Sequence, residues 1–268
     1  MIKLVASDLD GTLLLKGAQS LPEDIFPLIR ELKELGILFV AASGRQYANM
    51  KKLFSPVVND IAFISENGGL AVYNEKILYQ DSFDPKLVRE IAESIYARDG
   101  AEFTCSTKDF YYLRPKTEHF RDLMNNVVKN NCREINSFDE MREPCMKMAV
   151  YESNGLQDET IRYWKERFGD RCTVVTSGNA WVDFIPFETN KAKGVDVYQK
   201  LLGISKEECV VFGDEYNDIA MLKSVPYSFA MAHAKEGVKK AASYETESVQ
   251  TVLRKLIRAK GKIEEVIK

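Results

Sequence analysis

The sequence predicts an α/β protein in which a doubly wound parallel sheet is interrupted by a second, α+β domain. Short apolar runs alternate with helical periodicity over roughly the first 85 residues and again after Thr189, which is typical of a parallel sheet covered by helices. Between about Phe83 and Phe187 tandem strands alternate with helices, which indicates a largely antiparallel sheet with helices on one face. We therefore predict a core of residues 1–83 and 188–268 and an inserted domain of residues 84–187.

The N-terminal part of the core is predicted to begin with a strand at Ile2–Ser7, followed by a helix whose apolar residues recur between Leu21 and Leu35. Pro22 suits the first turn of that helix, and Gly36 suits its end. The next elements are a strand, a short helix, a strand and a hairpin that turns near Asn74 and Glu75: Ile37–Ala42, Tyr47–Phe54, Ile61–Ser65, and Leu70–Tyr73 with Ile77–Tyr79.

The inserted domain is predicted to contain three helices and five strands. The helices are Pro85–Arg98, Glu118–Asn130 and Leu156–Phe168, and the strands lie near Glu102, Tyr111, Met148, Val174 and Val182. The core then resumes with a helix, a strand, a helix, a strand and a last helix: Ala192–Leu202, Cys209–Phe212, Asn217–Lys223, Tyr227–Met231, and the apolar face Val249 to Ile257.

Composition excludes several classes of protein. The 37 basic and 40 acidic residues give a formal net charge of −3, which leaves no positive surplus for binding a nucleic acid. Apolar runs such as Ile37–Ala42 are far shorter than the ~20 residues that cross a bilayer. The N-terminus runs directly into a strand pattern, so we expect a protein that neither spans a membrane nor is exported. The 5 cysteines are an odd number with no C-x-x-C pair, which argues against disulfides and a zinc knuckle. We predict a cytoplasmic protein with reduced thiols.

The strongest chemical signal is Asp8-Leu9-Asp10-Gly11-Thr12, at the end of the first predicted strand. Ligand sites of doubly wound sheets lie beyond the carboxyl ends of the strands. Two carboxylates two residues apart repel each other unless a cation or a proton offsets their charge. An ordinary Asp-Gly turn is the alternative. A calcium loop of the EF-hand type is excluded, because it needs glycine and glutamate where Leu13 and Gln19 stand.

Three further polar segments stand at predicted strand ends or helix starts. Ser43-Gly44-Arg45 offers a hydroxyl and backbone N–H groups to an anion, or Ser43 simply caps a helix. Gly213 to Asp218 carries three carboxylates, which could equally be acidic residues at a helix N-terminus. Lys191 lies at a helix start, where its charge opposes the helix dipole. If the four segments converge, they supply carboxylates for a divalent cation, a nucleophile and anion donors, which suits phosphoryl transfer.

In these four motifs the chain resembles the haloacid dehalogenase (HAD) superfamily of phosphatases, specifically its Cof-type branch with an inserted α/β cap. The motifs are DxDGT at Asp8–Thr12, SGR at Ser43, NKAKG at Lys191 and GDxxND at Gly213–Asp218, and Ser65–Gly69 looks like the family's ENG segment. The resemblance covers the whole chain. It implies a Rossmann-like core and a cap, residues 84–187, that closes over the site and selects the substrate.

The resemblance also implies a role for each motif residue. Asp8 would be the nucleophile that takes the phosphoryl group, and Asp10 the acid that protonates the leaving alcohol and later activates water. Mg²⁺ would lie on the carboxylates of Asp8 and Asp214 and the backbone carbonyl of Asp10, with Asp218 supporting the metal from outside its direct ligands. The phosphate oxygens would be held by Leu9 through its backbone, Ser43, Gly44, Lys191 and Asn217. Lys193, which directly precedes Gly194, is an alternative to Lys191.

The predicted function is therefore that of a Mg²⁺-dependent phosphatase acting on a small, soluble phosphate monoester, a sugar phosphate or a phosphorylated cofactor. A phosphomutase would share the aspartyl phosphate but return the group to a second hydroxyl. A phosphoacceptor signalling domain would share the clustered aspartates, but it fits badly with an insertion of about 100 residues. The two histidines, His119 and His233, are isolated in the sequence and are given no role.

Overall fold

The computed structural model describes residues 1–15, 18, 20–128, 131–177 and 180–267. It divides into two compact units, which we treat separately. The first unit is Met1–Tyr79 with Asn190–Lys268, and the second unit is Gln80–Thr189. These divisions lie a few residues from the boundaries that the sequence suggested. Among the described residues, no helix combines the length and the apolarity needed to cross a membrane.

In the described residues of its N-terminal half, the first unit has five strands and two α-helices. They are β1 (Leu4–Ser7), α1 (Ile25–Glu34), β2 (Leu38–Ala42), α2 (Tyr47–Leu53), β3 (Ile61–Ser65), β4 (Leu70–Tyr73) and β5 (Lys76–Gln80). Pro22 was predicted in the first turn of α1, but it lies before the helix, and its carbonyl accepts a hydrogen bond from the N–H of Ile25. Asn74 and Glu75 have φ of 48° and 62°, as a tight hairpin turn requires.

The second unit, outside residues 129–130 and 178–179, has a six-stranded sheet and three α-helices. They are α3 (Pro85–Tyr96), β6 (Ala101–Ser106), β7 (Tyr111–Leu113), α4 (Glu118–Asp122), β8 (Cys132–Glu134), β9 (Lys147–Glu152), α5 (Asp158–Phe168), β10 (Thr173–Ser177) and β11 (Trp181–Ile185). The strand order is β10-β11-β9-β6-β7-β8. All neighbours are antiparallel except β7 and β8, so the predicted, largely antiparallel sheet is present. The predicted second helix, Glu118–Asn130, is α-helical only in α4 and continues as a π-helix over Leu123–Val128; its last two predicted residues, 129 and 130, lie outside the described residues.

The prediction that the helices of the second unit share one face is wrong. The core that α3 and α5 form with the sheet contains Val150 and Val182, whereas α4 packs with their neighbours Tyr151 and Trp181. Successive side chains of a strand point to opposite faces, so α4 covers the other face. The Phe120 ring of α4 stacks on Tyr151 with centroids 5.6 Å apart. Apolar side chains on both faces of this sheet therefore require helices on both sides.

The C-terminal half of the first unit contains four helices and three strands. They are α6 (Lys191–Leu202), β12 (Cys209–Gly213), α7 (Ile219–Ser224), β13 (Tyr227–Met231), α8 (Glu236–Lys239), β14 (Tyr244–Thr246) and α9 (Val249–Arg258). The sheet of this unit has the order β14-β13-β12-β1-β2-β3-β4-β5. Its first six strands are parallel, and β4 runs antiparallel to β3.

Helices cover both faces of this parallel sheet. Val195 and Tyr198 of α6 pack in one core cluster with Ile64 of β3. Phe63, which precedes Ile64 in β3, faces the opposite side of the sheet. There its ring packs against Tyr47 of α2 with centroids 5.4 Å apart. The predicted doubly wound α/β class with a second α+β unit is confirmed. Since β1 lies between β12 and β2, the loop after β1 is flanked by the loops after both neighbours.

Candidate active site

Four polar loops follow four adjacent strands of the first unit. Asp8 follows β1, Ser43 follows β2, Glu66 follows β3 and Asp214 follows β12. The carboxyl ends of parallel strands lie at the same edge of a sheet, so these loops meet there. Lys191 reaches the same place from the first position of α6.

The centre of this group is a buried lysine between two buried carboxylates. Lys191 is 0% exposed, and its Nζ donates to Oδ1 of Asp8 and, at 2.6 Å, to Oδ1 of Asp218. A buried ammonium is stable only with such partners. The other oxygen of Asp218, Oδ2, accepts the backbone N–H groups of Asp214 and Glu215 at 3.0 Å each. The two carboxylates thus offset the charge that Lys191 places at the start of a helix.

Burial and mutual repulsion decide the pKa values of these groups. Burial raises the pKa of Asp8 well above its usual range, and Asp218 and Asp214 add to this effect while Lys191 opposes it. Burial also raises the pKa of Asp214, against the hydrogen bond from Thr12. Burial alone would lower the pKa of Lys191, but the combined effect of Asp218 and Asp8 raises it by more, so the pKa lies above its usual value. Three carboxylates around one ammonium leave an excess of negative charge, which favours a bound cation.

The residues at this place fit a divalent metal ion. Asp8, Asp214 and Asp218 each offer a carboxylate oxygen, and these atoms lie within 4.8 Å of one another. Carboxylate oxygens are the ligands that hard cations such as Mg²⁺ prefer. Gly11, with φ of +90°, permits the close approach of the loop after β1, because a Cβ there would lie 2.1 Å from Oδ2 of Asp214. Thr12 donates from its hydroxyl to Oδ1 of Asp214 at 2.7 Å.

The side chain of Asp10 lies apart from the three clustered carboxylates, in an ion pair with Arg45. Nε and Nη2 of Arg45 donate to the two oxygens of Asp10 at 2.8 and 2.5 Å. The Asp10 side chain is 54% exposed, against 7% for Asp8. The hydrogen bond that Arg45 donates to Asp10 raises the pKa of Arg45, so this guanidinium stays charged. Arg45 had been noted only as part of the Ser43 motif, and its pairing with Asp10 was not predicted.

The loops after β2, β3 and β12 meet through Asn67. Its Oδ1 accepts a hydrogen bond of 3.0 Å from Nδ2 of Asn217, and its backbone N–H donates to the carbonyl of Ser43 at 3.1 Å. The hydroxyl of Ser43 accepts the N–H of Arg45 at 3.1 Å. Gln46 is the N-cap position of α2, so Ser43 is not the helix cap of the alternative interpretation. Sequence reasoning named the segment of Asn67 but gave it no role.

The remaining candidates are placed as follows. Leu9 is fully buried, and its carbonyl accepts the N–H groups of Thr12 and Leu14. Lys193 donates its backbone N–H to Oδ1 of Asn190, the N-cap of α6, while Lys191 takes the position beside Asp8. His233, to which the sequence assigned no role, lies with Nε2 3.7 Å from Oδ2 of Asp214. No sequence motif surrounds His233, and its connection with the site follows only from its position beside Asp214 in the structure.

The chain is similar to known proteins over most of its length. Residues 5–252 match the model of a family described as haloacid dehalogenase-like hydrolases. A curated relative, the 5-amino-6-(5-phospho-D-ribitylamino)uracil phosphatase YbjI of Escherichia coli K12, is 32% identical over 247 residues, which cover 92% of this chain and 91% of the relative. A solved structure from Eubacterium rectale superposes with a TM-score of 0.85 at 24% identity, over 94% of this chain and 98% of the other. The sugar phosphatase BT4131 of HAD subclass IIB gives a TM-score of 0.74 at 25% identity, over 91% and 93%.

Proposed function

Because the chain belongs to the haloacid dehalogenase-like hydrolases and is a phosphatase for small phosphate esters, we propose that it works through an aspartyl phosphate on Asp8 with Mg²⁺ as its metal. The observation that carries this proposal is the placement of Asp8. Its carboxylate is buried at the end of the central strand β1, in contact with Lys191 and next to the carboxylates of Asp214 and Asp218.

In the first step a carboxylate oxygen of Asp8 attacks phosphorus, and the bond between phosphorus and the ester oxygen breaks. Asp10, released from its ion pair with Arg45 and protonated, donates its proton to that oxygen, so the product leaves as a neutral alcohol. Lys191 offsets the negative charge of Asp8 and of the incoming phosphate. The hydroxyl of Ser43, the N–H groups of Gly44 and Leu9, and the amide of Asn217 hold the phosphate oxygens.

In the second step Asp10, now a carboxylate, accepts a proton from a water molecule that attacks the same phosphorus. The bond between phosphorus and Asp8 breaks, which releases inorganic phosphate and restores the Asp8 carboxylate. A metal ion would be held by Asp8 and Asp214, with Asp218 beside them, and when bound it would supply positive charge that neutralises the phosphate oxygens. Without that charge, Asp8 and the dianionic ester repel each other.

We assign the substrate to the phosphate esters of sugars, polyols or related cofactors. The two phosphatases named above act on a ribitylaminouracil phosphate and on sugar phosphates, and both substrates carry the phosphate on a polyhydroxylated chain. We assign the choice among such esters to the second unit, Gln80–Thr189. We place the activity in the cytoplasm, because the 5 cysteines are an odd number at wide spacings with no C-x-x-C pair, a pattern that suits a reducing compartment.

The proposal is tested by acid-quenching single turnovers of a phosphate ester labelled with ³²P and counting the label on the protein. Wild type should carry transient label and Asp8→Asn none. With an aryl phosphate, whose leaving group needs little protonation, Asp10→Asn should carry label that decays slowly, because its water is no longer activated. Phosphate release over a panel of esters is measured with Mg²⁺ and with chelator in parallel. Label on Asp8→Asn equal to wild type would overturn the role of Asp8, and full activity in chelator would overturn the role of the metal.

A further inference from the structure

Three consecutive residues directly after β3 have left-handed backbone conformations. Glu66, Asn67 and Gly68 have φ of 51°, 57° and 104°, and we refer to them as the 66–68 turn. Residues other than glycine rarely adopt these backbone angles. The strain that they cause persists only where surrounding contacts enforce the conformation. Here the backbone N–H groups of Glu66 and Asn67 donate to the carbonyls of Arg45 and Ser43 at 3.1 Å each. The turn is therefore fastened to the loop after β2.

The 66–68 turn also lies close to the loop after β12, which carries Asn217, and to the start of α6, which carries Lys191. Oδ1 of Asn67 lies 3.0 Å from Nδ2 of Asn217. A Cβ added to Gly44 would lie 2.8 Å from the same Oδ1, so this oxygen faces both loops at once. A Cβ on Gly68 would lie 2.0 Å from the carbonyl oxygen of Asn190, at the start of the helix that carries the buried lysine. Neither glycine could be replaced without moving a neighbour.

We propose that Asn67 is a positioning residue that orients the amide of Asn217 toward the substrate phosphate, an inference that rests on the proposed function. A primary amide has two orientations of nearly equal shape, one presenting N–H groups and one presenting the carbonyl oxygen. Because Oδ1 of Asn67, the oxygen that also faces Gly44, accepts one N–H of Asn217, the amide nitrogen of Asn217 is held beside the 66–68 turn and its second N–H is left for a phosphate. The flipped amide would bring two oxygens together and would present an oxygen to an anion.

The residue type at position 67 meets both requirements of this role. Among residues with a side chain, asparagine is one of the few that tolerates a left-handed backbone. Its carbonyl oxygen supplies the acceptor without adding a charge, whereas an aspartate would place a negative charge beside the bound dianion. Glycine would keep the backbone conformation and lose the acceptor. The substitution Asn67→Gly therefore removes the side-chain amide and keeps the left-handed turn.

The experiment is a double-mutant cycle with Asn67→Gly, Asn217→Ala and the double variant, measured by kcat/KM on an ester and by the inhibition constant of inorganic phosphate. The control is Asn74→Gly, the same replacement at an exposed asparagine with φ of 48° in the turn between β4 and β5. We expect Asn67→Gly to lower kcat/KM about tenfold and to weaken phosphate inhibition by a similar factor, the cost of a misplaced hydrogen bond to a charged group. Asn74→Gly should match wild type, and the double variant should match Asn217→Ala.

Two results would overturn the inference while leaving the proposed function intact. One is additive losses in the double variant, which would mean that Asn67 does not act through Asn217. The other is a loss in kcat alone with phosphate inhibition unchanged, which is what a smaller folded fraction produces. A fully active Asn217→Ala would instead contradict the proposed phosphate site itself, and the inference with it. Thermal unfolding of every variant shows whether the fold is retained.

Discussion

Thr12 and Asp214 are joined by a hydrogen bond of 2.7 Å across 202 positions of the sequence. The bond leads from the loop after β1 to the loop after β12, so it fixes the spacing between the two segments that carry Asp8 and Asp214. Because the Thr12 hydroxyl donates its hydrogen bond to Oδ1 of Asp214, the Asp214 carboxylate is held in one orientation. Groups that orient a metal ligand in this way contribute strongly to metal affinity.

Removing this hydroxyl should weaken metal binding. In Thr12→Val the shape is nearly kept but Asp214 is free to rotate, so we expect the half-saturating Mg²⁺ concentration to rise about tenfold, with kcat at saturating Mg²⁺ less affected. Thr12→Ser keeps the hydroxyl and is the matched control. Activity titrated with Mg²⁺ measures the effect. Equal titration curves for Thr12→Val and wild type would show that the bond has no part in holding the metal.

Replacing the buried lysine should damage both stability and activity. Lys191→Met leaves Asp8 and Asp218 buried without their cation, which should cost about 3–5 kcal/mol of the free energy of unfolding in metal-free buffer. Activity should fall at least about a hundredfold, because an electrostatic contribution of this kind is worth that much in rate. Urea unfolding and phosphate release measure the two effects. Lys193→Met is the control, and a larger loss in that variant would overturn the assignment of Lys191.

The buried hydroxyl of Tyr198 connects α6 to the sheet. It lies 2.7 Å from the carbonyl of Phe63 and 2.9 Å from that of Val72, on neighbouring strands. We expect Tyr198→Phe to lower the free energy of unfolding by about 1–2 kcal/mol at pH 7, because a fully buried hydrogen bond is lost. Tyr216→Phe, at a ring that is 57% exposed, should change it by less than about 0.5 kcal/mol. Similar values for both variants in urea unfolding would contradict this account.

The same hydroxyl makes stability depend on alkaline pH. Burial raises the pKa of Tyr198 above that of an ordinary tyrosine, which is about 10 in the unfolded chain. Above this pH the unfolded state loses the proton while the folded state keeps it, so the contribution of Tyr198 is complete below pH 10 and falls as pH rises. The stability difference between wild type and Tyr198→Phe should therefore shrink between pH 9 and pH 11. A difference that stays constant over this range would refute the assignment.

Cys132 should be the first thiol to react, and only in alkaline solution. Among the five cysteines it is the one that is not fully buried. Burial, with a smaller effect of Glu134, raises its pKa to about 11. Since the thiolate is the reactive form, alkylation by iodoacetamide should accelerate about tenfold per pH unit between pH 8 and 10. Mass spectrometry locates the modified residue. A rate that levels off near pH 8.5 would indicate an ordinary thiol pKa, and Glu134→Gln should react slightly faster.

Strong local patterns in the sequence predicted most of the fold. β3 and β13 begin and end at the predicted residues, because each is a continuous run of apolar and small residues. β8 and β14 were missed, since Cys132–Glu134 and Tyr244–Thr246 contain only three residues each and show no apolar alternation. Each of these edge strands forms by pairing with the preceding strand of the chain, β7 for β8 and β13 for β14, and helical residues separate the two partners.

Individual motifs of the site could be recognised in the sequence, but the pairs between them could not. Asp8, Ser43 and Asp214 stand out because polar residues follow apolar strands. The bond between Arg45 and Asp10 depends on which strands are neighbours in the sheet and on where two long side chains meet. The contact of Asn67 with Asn217 depends on a left-handed turn that residue type alone does not require.

The position of β1 in the sheet has a consequence for synthesis on the ribosome. β1 pairs with β2 on one side and with β12 on the other, and β12 begins only at Cys209, after the whole of Gln80–Thr189. At ordinary translation speeds, roughly ten seconds separate the emergence of the first half of the sheet from that of β12. Throughout this interval β1, which leads to Asp8, is an open strand edge that can pair with another nascent chain. Ribosomes that stall before residue 209 should therefore release chains prone to aggregate, and chaperone capture should act on this edge.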